Sequence, residues 1–244
     1  MTPAFIGELW KIATVRAQWI SAALAAIVIP LISLLVAATG GLSSSDSVTS
    51  GAATGSVVGL LAFGSWGAAV AAGEYSRQTM IVSLSTVPRR TWLYGAKLAA
   101  TTATTAAAAF VSALVAFAAV LAVTPHGVHR IGNPAALFSV VLVVVAVTAI
   151  GVAAGILTRS PTASIAAVFA VVLLPQAAGG LLGGLQPWIV GAAPGPVITQ
   201  IVGNSSLATD QTFPPGAAAA AATLLAVALA IAAGGAYALH RHDG

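Results

Sequence analysis

The chain has 244 residues, of which 59% are hydrophobic and only 6% charged, with a mean hydropathy of +1.01. A soluble domain carries about a quarter charged residues, so a soluble fold is excluded and an integral membrane protein is indicated. The long apolar runs require spanning helices rather than a barrel, and the absence of cysteine rules out disulfides and thiolate metal sites.

Residues 4–19 read as a short interfacial helix. Phe5, Ile6, Leu9, Trp10, Ala13 and Ala17 can share one side, with Glu8, Lys11 and Gln18 on the other. Trp10 and Trp19 suit the headgroup layer as interface anchors. Lys11 and Arg16 precede an apolar run that ends in Ala37, Ala38 and Thr39, the order found in a signal peptide. That run is roughly 19 residues long, beyond the 7–15 of a signal-peptide core, so it reads as an uncleaved first span.

Six spans are expected, at about 20–38, 56–73, 98–123, 135–157, 163–182 and 217–239, each near the roughly 20 residues that cross a hydrocarbon core. Pro30 is expected to kink the first. With the N-terminus inside, eight of the nine Lys and Arg residues fall on the inner side and only Arg130 outside. Both termini are then cytoplasmic, in the plasma membrane of what reads as a bacterial cell. The net charge of +4 reflects this topology and anionic lipid headgroups, and no nucleic-acid partner is expected.

Of the outer loops, 39–55 reads as a flexible, solvated Ser/Gly/Thr tract. Segment 124–134 holds His126 and His129, better read as a polar turn than a metal site because Pro125 and Gly127 disfavour helix there. Loop 183–216 is apolar yet broken by glycine and proline, which suits a re-entrant or interfacial hairpin before the last span. Within their expected bounds the spans contain no Asp, Glu, Lys, Arg or His, which argues against proton coupling in the membrane core. A sodium site built from carbonyls and hydroxyls stays open. Glycines at 55, 59, 64, 67, 151, 155, 179, 180, 183 and 184 can let helices approach closely, within the chain or in a dimer seam. The threonines at 101, 102, 104 and 105 can face a polar cavity or bond back to their own helix.

The most informative segment is 74–97, a basic, amphipathic insertion between two spans. It carries Arg77, Arg89, Arg90 and Lys97. Met80, Ile81, Leu84 and Val87 fall on one helical face, and Pro88 ends that helix and can open a second one toward Trp92 and Tyr94. Lys97 is placed to snorkel at the interface.

The pattern Glu74-Tyr75-x-x-x-Thr79, then Leu84, Pro88-Arg89-Arg90 and Lys97, resembles the loop between spans two and three of ABC-2 type permeases. Gln78 departs from it, standing where that family usually has glycine. The resemblance implies an all-α membrane fold of six spans, with an N-terminal interfacial helix, a cytoplasmic coupling helix and a re-entrant segment before span six. It implies that 1–244 is one permease domain, paired with a second permease copy and two cytoplasmic ABC ATPase subunits. It also gives roles to residues. Glu74 would fix the coupling helix to span two, Thr79 completes the motif, and the Met80–Val87 ridge would fill the ATPase groove. Arg89 and Arg90 would engage its acidic rim. No GxxxxGK[ST] phosphate loop occurs, so ATP and Mg are expected in the partner, and no cofactor, metal or catalytic residue in this chain. The expected function is ATP-driven export of a drug, peptide, lipid or other amphipathic compound. An ion-coupled secondary carrier and a non-transporting structural or sensory subunit are the alternatives.

Overall fold

The computed structural model describes residues 2–76, 90–125, 129–204, 208 and 211–241, and every regular element among them is helical. The helices are α1 (Thr2–Thr14), α2 (Arg16–Ala38), α3 (Val48–Ala53), α4 (Ser56–Ser76), α5 (Arg90–Val123), α6 (Ala136–Thr158), α7 (Pro161–Ala177), α8 (Gln186–Ile189), α9 (Pro194–Val202) and α10 (Ala217–Arg241). Five stretches are long and apolar enough to cross a membrane: α2, the α3–α4 stretch, α5, α6 and α10. The chain is therefore an all-α, multi-span membrane protein. Residues 163–182, expected as a further span, correspond to α7, an apolar helix of 17 residues. At 1.5 Å per residue it reaches about 25 Å, short of a roughly 30 Å core. Pro175 lies near its end, and the glycines beyond Ala177 fold as two 3₁₀ turns, Gly179–Leu181 and Gly183–Leu185.

Helices α4 and α6 form the centre and the most extensively packed pair. In the most apolar stretch of α6, 72% of residues are buried, against 22% in α2 and α10. Glycine makes this contact possible. A Cβ at Gly151 would overlap the Gly64 carbonyl oxygen, one at Gly155 would lie 2.7 Å from the Ala68 oxygen, and one at Gly67 would lie 2.8 Å from the Thr148 oxygen. The seam is thus backbone against backbone within one chain, the geometry that small-residue spacing allows. Glycines 180, 183 and 184 have nothing near their Cβ positions and belong to the turns after α7. Outside this core, α2, α5 and α10 expose rows of large apolar side chains, among them Leu24, Ile27, Leu31, Val111, Leu114 and Leu229. Water would penalise such a surface and lipid does not.

Several boundaries differ from those expected, for local reasons. The first helix stops at Thr14 because Val15 is extended (φ −79°, ψ 108°), so Trp19 belongs to α2. Helices α4 and α5 run past the lipid-grade sequence into polar residues and take in Glu74 and Lys97. The tract 39–55 is not simply solvated: Ser47 and Ser50 form a reciprocal capping box that starts α3, and all six α3 residues are buried. Its small side chains pack against α5, α2 and α9. Ser33 of α2 bridges the break between α3 and α4, donating to the Ala52 carbonyl (2.8 Å) and accepting from the Gly55 N–H (3.0 Å). Residues 130–131 dock on the start of α3, where Val48 and Thr49 donate to the carbonyls of Arg130 and Ile131.

The described residues of 183–216 fold over this same end. Gln200 donates to the Gly191 carbonyl and accepts from the Phe213 N–H, and Trp188 meets Phe213 edge-on. Helix α9 packs against α6, α3 and α4, with Val197 and Ile198 buried.

Candidate functional site

At the opposite end, α1, the end of α4 and the start of α5 converge on four charged groups. The Lys97 ammonium donates to Glu8 (2.6 Å) and to Glu74 (2.7 Å). Lys11 donates to the other oxygen of Glu8 (2.6 Å) and to Glu74 (3.2 Å). Lys97 is 1% exposed and Glu8 4%, so this is an internal network rather than a surface pairing. Among the described residues two acids face two bases, which meets the requirement that buried charge be compensated and hydrogen-bonded.

The sequence explains why the groups meet. In α1, Glu8 and Lys11 are three residues apart and share a face. Glu74 lies in the last turn of α4, and Lys97 two turns into α5. Helix α5 spans 34 residues, about 51 Å, so its first turns extend beyond a hydrocarbon core of about 30 Å. Lys97, two turns into this helix, is 1% exposed. Two carboxylates within reach hold it inside.

Burial pushes the Glu8 carboxyl up, but the Lys97 charge and the hydrogen bonds from Lys11 and Lys97 outweigh it and hold the group below its ordinary 4.5. Burial pushes the Lys11 ammonium down, but its hydrogen bond to Glu8 and the charges of Glu74 and Glu8 raise it above 10.5. A carboxylate lowered on folding stabilises above its unfolded value and loses that contribution as pH falls through the folded one. An ammonium raised on folding does so below its unfolded value and loses it as pH rises. Unfolding midpoints in detergent should therefore stay level between pH 4.5 and 10.5 as far as these two groups contribute, and drop outside that window. A step near neutral pH traced to Glu8 or Lys11 by substitution would contradict this assignment.

Further contacts brace the same end. Leu93 and Tyr94 of α5 pack with Ala71, Val152, Ile156 and Leu239, joining α4, α5, α6 and α10. Tyr94 donates its hydroxyl to the Ala232 carbonyl at 2.9 Å; a Cβ on Gly235 would crowd that hydroxyl at 2.9 Å. The Arg159 guanidinium lies 5.6 Å from the Tyr75 ring centroid. Arg159 caps α6 in a left-handed conformation, a position more often filled by glycine.

Of the residues expected to couple to an ATPase, Glu74 lies in the network. Thr79, Met80, Ile81, Leu84, Val87, Pro88 and Arg89 lie outside the described residues, as does any coupling helix they form; Arg90 begins α5. Trp10 and Trp19 are 66% and 48% exposed, on the outer surface of α1 and α2. Glu8 and Lys11 were legible only as the polar side of an interfacial helix, and their role in the network was missed. One signal existed: acids number only five in the chain, so a Glu on a helix beside lipid needs a partner. Far from this network, His129 Nδ1 lies 3.0 Å from the Asp46 carbonyl oxygen; His126 is outside the described residues.

Comparison with protein-family models, with curated proteins and with solved structures yields no match.

Proposed function

We propose that this chain is the membrane subunit of an ABC-2 type transporter, an exporter of amphipathic compounds worked by an ATPase on a separate polypeptide. One observation carries the reading. The flanks of the basic segment 77–89 are tied to each other by Glu74 and Lys97 and to α1 by Glu8 and Lys11. A segment whose two ends share one rigid knot can pass displacement into α4, α5 and α1 together instead of absorbing it as local bending. The Glu74…Thr79…Pro88-Arg89-Arg90…Lys97 resemblance supplies the identity of the driver. On this reading α7 together with the 3₁₀ turn Gly179–Leu181 that follows it makes the sixth crossing, α8 and α9 form the segment before the last, and the network end faces the cytoplasm. Two permease copies would work with two ATPases that bind ATP and Mg.

An ion-coupled carrier gains one argument, since Glu74 and Lys97 are buried within α4 and α5. It loses more. Glu8 is held below its ordinary 4.5 by Lys97 and Lys11, and Lys11 above its ordinary 10.5 by Glu8 and Glu74, so both stay charged around neutral pH, where a proton carrier cycles.

Reconstitution separates these readings. With its ATPase, the chain in liposomes should move amphipathic dyes only when ATP is added, and without it should move none under proton or sodium gradients. Uphill movement by the chain alone would overturn the proposal.

A further inference from the structure

One face of α5 carries polar groups beyond the ion network. Lys97, Thr101 and Thr105 recur at intervals of four and so stack on successive turns. Each of these side chains is all but inaccessible, at 1%, 0% and 0% exposed. Thr102 and Thr104, by contrast, donate to carbonyls of their own helix, those of Leu98 and Ala100. Thr101 and Thr105 do not; their hydroxyls have no hydrogen-bond partner among the described residues. An ammonium has three hydrogens to donate, and Lys97 places them on two carboxylates only. The same face therefore presents an unfilled donor and then two unfilled hydroxyls, extending about 12 Å along the helix at 1.5 Å per residue.

Two buried hydroxyls without a partner among the described residues, one turn and two turns beyond an ammonium with a hydrogen to spare, are an unfavourable arrangement. Their chemistry specifies what would fill it. The ligand must accept from an ammonium and both accept from and donate to hydroxyls. We propose that the Lys97–Thr101–Thr105 face of α5 is a binding site for ordered water, with one molecule joining the Lys97 ammonium to the Thr101 hydroxyl and the next joining Thr101 to Thr105. The site makes the inner part of the bundle a hydrated seam. Lys97 can then exchange a carboxylate for a water as α5 shifts, without passing through a bare charge.

Replacing both threonines by valine keeps side-chain shape and gives opposite results for a wet and a dry seam. If water is bound, the full-length Thr101→Val/Thr105→Val protein loses the partners that hold it, and the unfolding midpoint in detergent falls by about 2–6 °C. If the seam is dry, valine removes two buried unpaired hydroxyls and the midpoint stays level or rises; either outcome overturns the proposal. High-resolution cryo-electron microscopy of the unmodified full chain gives a second readout. Density between Lys97 Nζ and Thr101 Oγ1 is expected, and an empty gap in a map that resolves other interior waters rejects the site.

Discussion

Replacing Lys97 by methionine should destabilise the protein by about 3–5 kcal/mol, because it takes from Glu8 and Glu74 the buried ammonium that both accept from. The size follows from desolvation. An ion pair inside a protein gains little over a well-packed apolar pair, but half of one is costly, since the remaining charge has lost its water and gained nothing. Two companions make the cause visible. Glu8→Leu combined with Lys97→Met removes one acid with one base and should recover most of the loss. Lys11→Met should cost less than about 1 kcal/mol, because that side chain is 39% exposed and water can replace it. Denaturant titration in mild detergent measures all three. If the double variant were as damaged as Lys97→Met alone, packing rather than charge would be responsible.

The second large effect belongs to the centre of the bundle. Gly151→Ala should cost about 2–3 kcal/mol although alanine favours helix over glycine by about 1 kcal/mol. The added Cβ overlaps the Gly64 carbonyl oxygen, and a backbone atom cannot turn aside as a side-chain tip can. Helices α4 and α6 would have to separate along their seam, losing contacts at Gly67, Gly155 and Ala68 as well. Gly184→Ala is the control. It has open space around its Cβ and should change stability by no more than about 0.5 kcal/mol. Equal effects at 151 and 184 would show that the α4–α6 approach is not close.

The contrast between those glycines marks how far sequence reading reaches. Apolar runs gave α2, α4, α6 and α10 to within a few residues, because lipid-grade hydrophobicity extends over a whole crossing. Ends were missed wherever a helix continues into polar residues, as α4 does through Glu74 and α5 does from Arg90. Glycine spacing marked the α4–α6 seam but also marked Gly180, Gly183 and Gly184, which pack against nothing; only a partner helix tells them apart. The serine-rich tract before α4 looked solvated, yet small side chains are also what allow α3 to be buried. The network itself joins residues 63 and 89 positions apart, a separation to which local periodicity is blind. Periodicity placed Glu8 correctly on the polar side of α1; that side faces two other helices rather than water.

On the proposed function, a nucleotide hydrolase grips segment 77–89 from the cytoplasm, and the Glu8–Lys11–Glu74–Lys97 knot passes its motion to the helices. The chain has no cysteine, so Met80→Cys and Leu84→Cys each introduce a single reporter for disulfide crosslinking to cysteines placed on the copurifying ATPase. Crosslinks should form at both positions, and their yield should change when ATP replaces ADP. Failure of either position to crosslink to any ATPase that copurifies, or accessibility of both only from the outer side of the membrane, would contradict the account.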